Sequence, residues 1–160
     1  MRIRHTAVAV AGLACVLTAC SSNDSGNTDT KPKTTASKAA AEPAGLTAEQ
    51  AAAELADATG VTDLGDPIDN TKSCSQRAAG KEPHANDCSQ LITTDTVSIY
   101  EYETPAIAAH WVQAMKKTGS DWRQAGRFAL AWMSRDQKYT SEKRRAELVT
   151  ELEKLTASTS

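Results

Sequence analysis

Glu101 and Glu103 lie two residues apart in a run of alternating character, so a strand there would turn both carboxyls to one face, as paired acid and base catalysis requires. Such a pair would make the chain a hydrolase. Beyond His5 the histidines are His84 and His110, and His110 sits beside Trp111 on an apolar helical stripe, where a partly buried structural imidazole is expected. No serine falls in Gly-x-Ser-x-Gly or Ser-x-x-Lys, and no glycine-rich phosphate loop is present. No catalytic residue is therefore assigned.

Charge is distributed unevenly. Residues 46–103 carry 11 acids and 3 bases, whereas residues 104–160 carry 6 acids and 10 bases. In the basic half, Arg135, Lys138, Lys143, Arg144 and Arg145 gather around the start of a helix, where positive charge opposes the helix dipole by ~0.3 to 1 kcal/mol per close residue. Pairing of Arg144 and Arg145 with the acidic half would offset that cost. The alternative is an anionic ligand or lipid headgroup. Tyr100 and Tyr102 share a strand face and Trp122 precedes a turn, so Trp122 joins the basic residues in a candidate binding face. The formal net charge of -2 and the balanced composition exclude the basic footprint of a nucleic-acid binder.

The N-terminus is an address. Arg2 and Arg4 precede an apolar stretch from Thr6 to Val16, too short to span a bilayer as a mature helix, which reads as an export signal. Leu17-Thr18-Ala19-Cys20 follows and resembles the lipobox of bacterial lipoproteins. The resemblance implies cleavage before Cys20, acylation of its thiol and residence on the outer side of the cell membrane. Two acyl chains, at ~0.8 kcal/mol per buried methylene, make a stable anchor. Ser21 stands where that family carries Asp to retain proteins at a Gram-negative inner membrane, and the Ala, Thr, Arg and Asp usage is similar to that of high-GC Gram-positive bacteria. The second half also resembles, in pattern, small exported actinobacterial lipoproteins of uncharacterised role. That likeness implies no activity.

Cleavage and lipidation would remove Cys15 and occupy Cys20, leaving Cys74 and Cys88 in an exported protein, where a disulfide is expected. Cys74, His84, Cys88 and His110 have the donor types of a zinc site. No CxxC pair pre-forms a chelate, so neither metal nor cofactor is assigned.

These residues need a scaffold. Residues 1–19 form the signal; residues 20–45 form a lipidated tether whose 25 residues after Cys20 contain no Leu, Ile, Val or aromatic side chain and reach roughly 25 to 30 Å as a flexible coil. Residues 46–160 hold all seven aromatic side chains and form one domain. Thr47 and Gln50 supply a capping box for a first helix that Gly60 stops, and Thr104-Pro105 opens a second that Gly119 ends. Residues 89–94 and 96–103 read as a hairpin, residues 122–133 as a second with its turn at Ala125-Gly126, and residues 141–155 as a last helix. Residues 61–87 show no period and read as a loop. The expectation is an α+β domain, an antiparallel sheet of about four strands in two hairpins covered on one face by helices and stapled by one disulfide. Its expected role is a binding or interaction module of the cell envelope, with the membrane and an envelope protein or anionic ligand as partners.

Overall fold

The computed structural model describes residues 45–158, so the signal, Cys20 and nearly all of the tether lie outside the described residues. Helix α1 (Ala48–Ala58) begins as its sequence requires: Thr47 Oγ1 accepts from the Gln50 N–H at 3.2 Å, and Gln50 Oε1 accepts from the Thr47 N–H at 2.9 Å. Gly60, at φ 71°, closes it, with the Val61 N–H bonded to Ala56 O and the Gly60 N–H to Asp57 O. Helix α2 (Pro105–Lys116) starts from Thr104, whose hydroxyl accepts from the Ile107 N–H, with proline at the first position. Helix α3 (Glu142–Ser158) buries Leu148 and Leu152.

Both hairpins form. Strands β2 (Gln90–Thr93) and β3 (Ser98–Glu101) pair with Leu91 opposite Tyr100, and β4 (Trp122–Ala125) and β5 (Phe128–Ala131) join through Gly126-Arg127, with Gly126 at φ 58°. The sheet is antiparallel throughout, but it has five strands where the sequence suggested four. Strand β1 (Ile68–Asp69) adds to the β2 edge from within the expected loop, giving the order β1-β2-β3-β5-β4. Two residues, both exposed, carry too little pattern to announce a strand.

Helices cover both faces of this sheet rather than one. Ile99, Phe128, Leu130 and Trp132 pack with α1 and α3, while Leu91, Tyr100, Ala129 and Ala131 pack with α2. The central strands β3 and β5 are buried at every residue. Ala129 and Ala131 are small enough that Tyr100 on β3 and Trp122 on β4 lean across β5 and meet at 4.6 Å between ring centroids. On the other face Phe128, Leu130, Leu148 and Leu152 are at most 1% exposed, each worth about 1.5 to 3 kcal/mol of burial.

Two polar groups are built into this core. Gln137 is fully buried; its Oε1 accepts from the Met133 and Ser134 N–H groups, and its Nε2 donates to Thr94 O and Ser98 Oγ. Glu101 is 2% exposed, with Oε1 on Arg127 Nη1 at 2.7 Å and Oε2 accepting from the first N–H of α1, Ala48, at 2.9 Å. Arg127 Nη2 donates onward to Leu46 O at 2.7 Å, so one ion pair fixes the entry of α1 onto the sheet.

Candidate functional site

The side chains with most chemistry meet on the α2 face. Period-two alternation along β3 places Tyr100 and Tyr102 on one side of the sheet with near-parallel rings, 6.4 Å apart at the centroids. Trp122 approaches from β4, and α2 contributes Trp111 and Met115 from successive turns. The far wall is the segment closed by the Cys74–Cys88 disulfide, whose Cα atoms are 5.6 Å apart. Trp111 Nε1 donates to Asn86 O at 2.7 Å and so ties α2 to that segment. Between these walls is a cleft of about 330 Å³, with Met133 at its edge.

The electrostatics of the cleft are mild. Burial pushes the Tyr100 phenol up, and burial together with the neighbouring Tyr100 pushes the Tyr102 phenol further, so both stay protonated. At the rim, Asp87 Oδ2 accepts from the Gln76 N–H at 2.8 Å and the His84 N–H at 3.1 Å. Partial desolvation raises the Asp87 pKa, but these donors outweigh it, and the carboxyl titrates below its ordinary value. Tyr100, Tyr102 and Trp122 therefore do come together, but in a cleft at 9%, 2% and 3% exposure rather than on an open patch. Trp122 in particular lies on the α2 face of the sheet, apart from the basic residues with which its sequence position grouped it, and donates from Nε1 to Met133 Sδ. The stripe on α2 was visible in the sequence as core; nothing local marks Trp111 and Met115 as lining a cavity.

The carboxylate pair is not assembled. Glu101 borders a larger groove of about 540 Å³ on the α1 side, but both its oxygens are engaged, by Arg127 and by Ala48 N–H. Glu103 is exposed past the end of β3. His110 is exposed on α2 rather than partly buried, with its ring edge-on to Trp111. Cys74 and Cys88 are bonded to each other, so neither is a free thiolate ligand, and the described residues contain no cluster of three or more His, Cys, Asp or Glu able to hold a metal.

The basic cluster also divides. Arg145 pairs with Asp121 at 2.7 Å, donates to Thr140 O and Lys138 O, and lies over the Trp132 ring. Arg144 reaches Thr59 Oγ1 at the end of α1 and Glu147. Neither pairs with an acid of residues 46–103, so the expected attraction between the halves is not made through them. Asp121 was missed because its partners, Arg123 and Arg145, come from β4 and from α3. Arg135, Lys138 and Lys143 remain exposed, Arg135 beside Asp136.

Comparison with protein-family models, curated proteins and solved structures finds no match in any of the three. Among the described residues no helix is long and apolar enough to cross a membrane.

Proposed function

We propose that the chain is a lipid-anchored binding module on the outer side of the cell membrane, and that it receives a small molecule in the aromatic cleft between α2 and the disulfide segment. The observation that carries this reading is the cleft itself: about 330 Å³ lined by two Tyr and two Trp, with the disulfide and two Met beside them and four polar residues, Ser73, Gln76, His84 and Asp87, of which the Ser73 hydroxyl donates to Asn70 O. That is the chemistry of a binding pocket, apolar walls with few polar groups. The bridged cysteines support an oxidising compartment. The sequence from Arg2 to Cys20 supports the anchor, with the membrane as partner through acyl chains on Cys20.

The test is a thermal-midpoint screen of small ring compounds against the full chain and against Met133→Trp, which fills the cleft edge. Binding to the folded state raises the midpoint. At least one compound should stabilise the wild type and leave Met133→Trp unmoved; no stabilisation by any compound would overturn the reading.

A further inference from the structure

Two tyrosines that line the cleft have hydroxyls with nothing to bond. Tyr100 and Tyr102 are 9% and 2% exposed, and neither phenol oxygen has a hydrogen-bond partner among the described residues. Elsewhere the fold satisfies its buried polar groups closely, as the four bonds of Gln137 show. Trp132 Nε1, on the opposite face of the sheet, is the one fully enclosed side-chain polar atom without a partner among the described residues. The phenol oxygens are therefore not sealed in, and both tyrosines line the cleft.

We propose that the cleft takes an uncharged, largely apolar ring compound carrying one or two acceptor oxygens, to which the Tyr100 and Tyr102 hydroxyls donate. This inference rests on the cleft being the binding site. Lining, charge, ring packing and size select the class. Aromatic rings, thioethers and the disulfide make up most of the lining, with Ser73, Gln76, His84 and Asp87 on the disulfide side, which favours an apolar ring with a few polar substituents. The rim carboxylate of Asp87 repels an anion. The rings pack on one another, Tyr100 with Trp122 at 4.6 Å and Tyr100 with Tyr102 at 6.4 Å, instead of standing apart around a central space, so the box that would hold a quaternary ammonium is not formed. At about 330 Å³ the cavity lies at the small end of the range for small-molecule sites, which suits one or two fused rings.

The test uses the full chain purified in detergent and titrated calorimetrically with coumarin, an uncharged bicyclic ring with a carbonyl oxygen, after subtraction of the heat of partition into protein-free micelles. Comparators are 2-naphthoate, benzyltrimethylammonium and N-acetylglucosamine. Coumarin should bind one per chain and more tightly than the three comparators. Tyr100→Phe and Tyr102→Phe should each weaken it about three- to tenfold, while leaving the thermal midpoint equal or higher, because each removes only an unpartnered hydroxyl. Coumarin affinity unchanged in both Phe variants would overturn the inference, as would tighter binding of any comparator; either result leaves the cleft a binding site. Absence of binding by all four overturns the inference and, with a silent screen, the function as well.

Discussion

Arg145 of α3 places its guanidinium carbon 5.3 Å from the centroid of Trp132, just past the end of β5, and from there pairs with Asp121 at 2.7 Å. Arg123 lies over the same ring at 5.2 Å and shares the same aspartate at 2.9 Å. The side chain that begins in the first turns of α3 thus turns back to the segment just before the helix and sets its charge against a ring, a carboxylate and three carbonyls, Gln137, Lys138 and Thr140. The carboxylate and the carbonyls it meets there offset the unfavourable helix dipole that its position implies.

Arg145→Glu is therefore expected to cost about 2 to 4 kcal/mol, because it strips donors from carbonyls and sets a second carboxyl against Asp121. Arg144→Glu should cost less than about 1 kcal/mol, since its partners are Glu147 and the Thr59 hydroxyl. Urea midpoints of the two single variants measure this. Because the Arg145 side chain is only 16% exposed, salt should restore little of its loss. Equal losses, both abolished by salt, would mean that the pairing around Asp121 contributes nothing.

Asp121 also sets an acid limit. Desolvation raises its pKa, but hydrogen bonds from Arg123 and Arg145 and their charges lower it more, and the net shift is downward. A carboxyl depressed in the folded state contributes stability above its unfolded pKa, about 3.9, and that contribution fades as pH falls through the lower folded value. Denaturation midpoints should drop as pH falls from about 5 toward 2, and Asp121→Asn should be less stable at pH 7 with a flatter acid limb. A variant whose acid limb parallels the wild type would remove Asp121 from this account.

Glu101→Gln tests whether that carboxyl is structural. The substitution leaves Arg127 without its charge partner and weakens the acceptor at the Ala48 N–H, so a loss of about 2 to 4 kcal/mol is expected. The cleft lies on the other face of the sheet, so ligand affinity should not change. A variant of normal stability that loses function would instead revive a catalytic role for Glu101.

What was legible in the sequence is what is decided within a few residues. The Thr47–Gln50 box, the Gly60 stop, the Thr104-Pro105 start and the Gly126 turn all form where their local chemistry places them. Coverage of the second sheet face was not legible, because Ala129 and Ala131 look like permissive positions and are in fact the floor that admits Tyr100 and Trp122. Nor was Gln137: a polar residue between charged neighbours gives no sign that it will bond Thr94 and Ser98 across about forty residues. The cleft was half visible. Its tyrosines share a strand face by simple alternation, but only the folding of α2 and the disulfide segment over them makes a cavity.

Cys20→Ser should release the protein from the membrane or leave it as an unprocessed precursor. No helix among the described residues is long and apolar enough to cross a membrane, and the acyl chains implied by the lipobox resemblance would be lost. Membrane fractionation and detergent-phase partition measure it. Retention equal to the wild type would show that Cys20 is not the anchor.

Reduction of Cys74–Cys88 ties stability to the cleft. The bridge spans 14 positions, and on the chain-entropy model a loop of that size contributes about 3 kcal/mol. It also holds the segment whose Asn86 carbonyl accepts from Trp111, so releasing it loosens one wall of the cleft while the sheet and the α1 and α3 face keep their own packing. Thiol counting on the unfolded, unreduced protein should find neither cysteine free. Reduction should lower the denaturation midpoint and, under conditions where the domain remains folded, weaken ligand binding in the cleft. Two free thiols with one bound zinc would replace the staple with a metal site. A reduced protein of unchanged affinity would mean that Tyr100, Tyr102, Trp111 and Trp122 position themselves without the segment that closes over them.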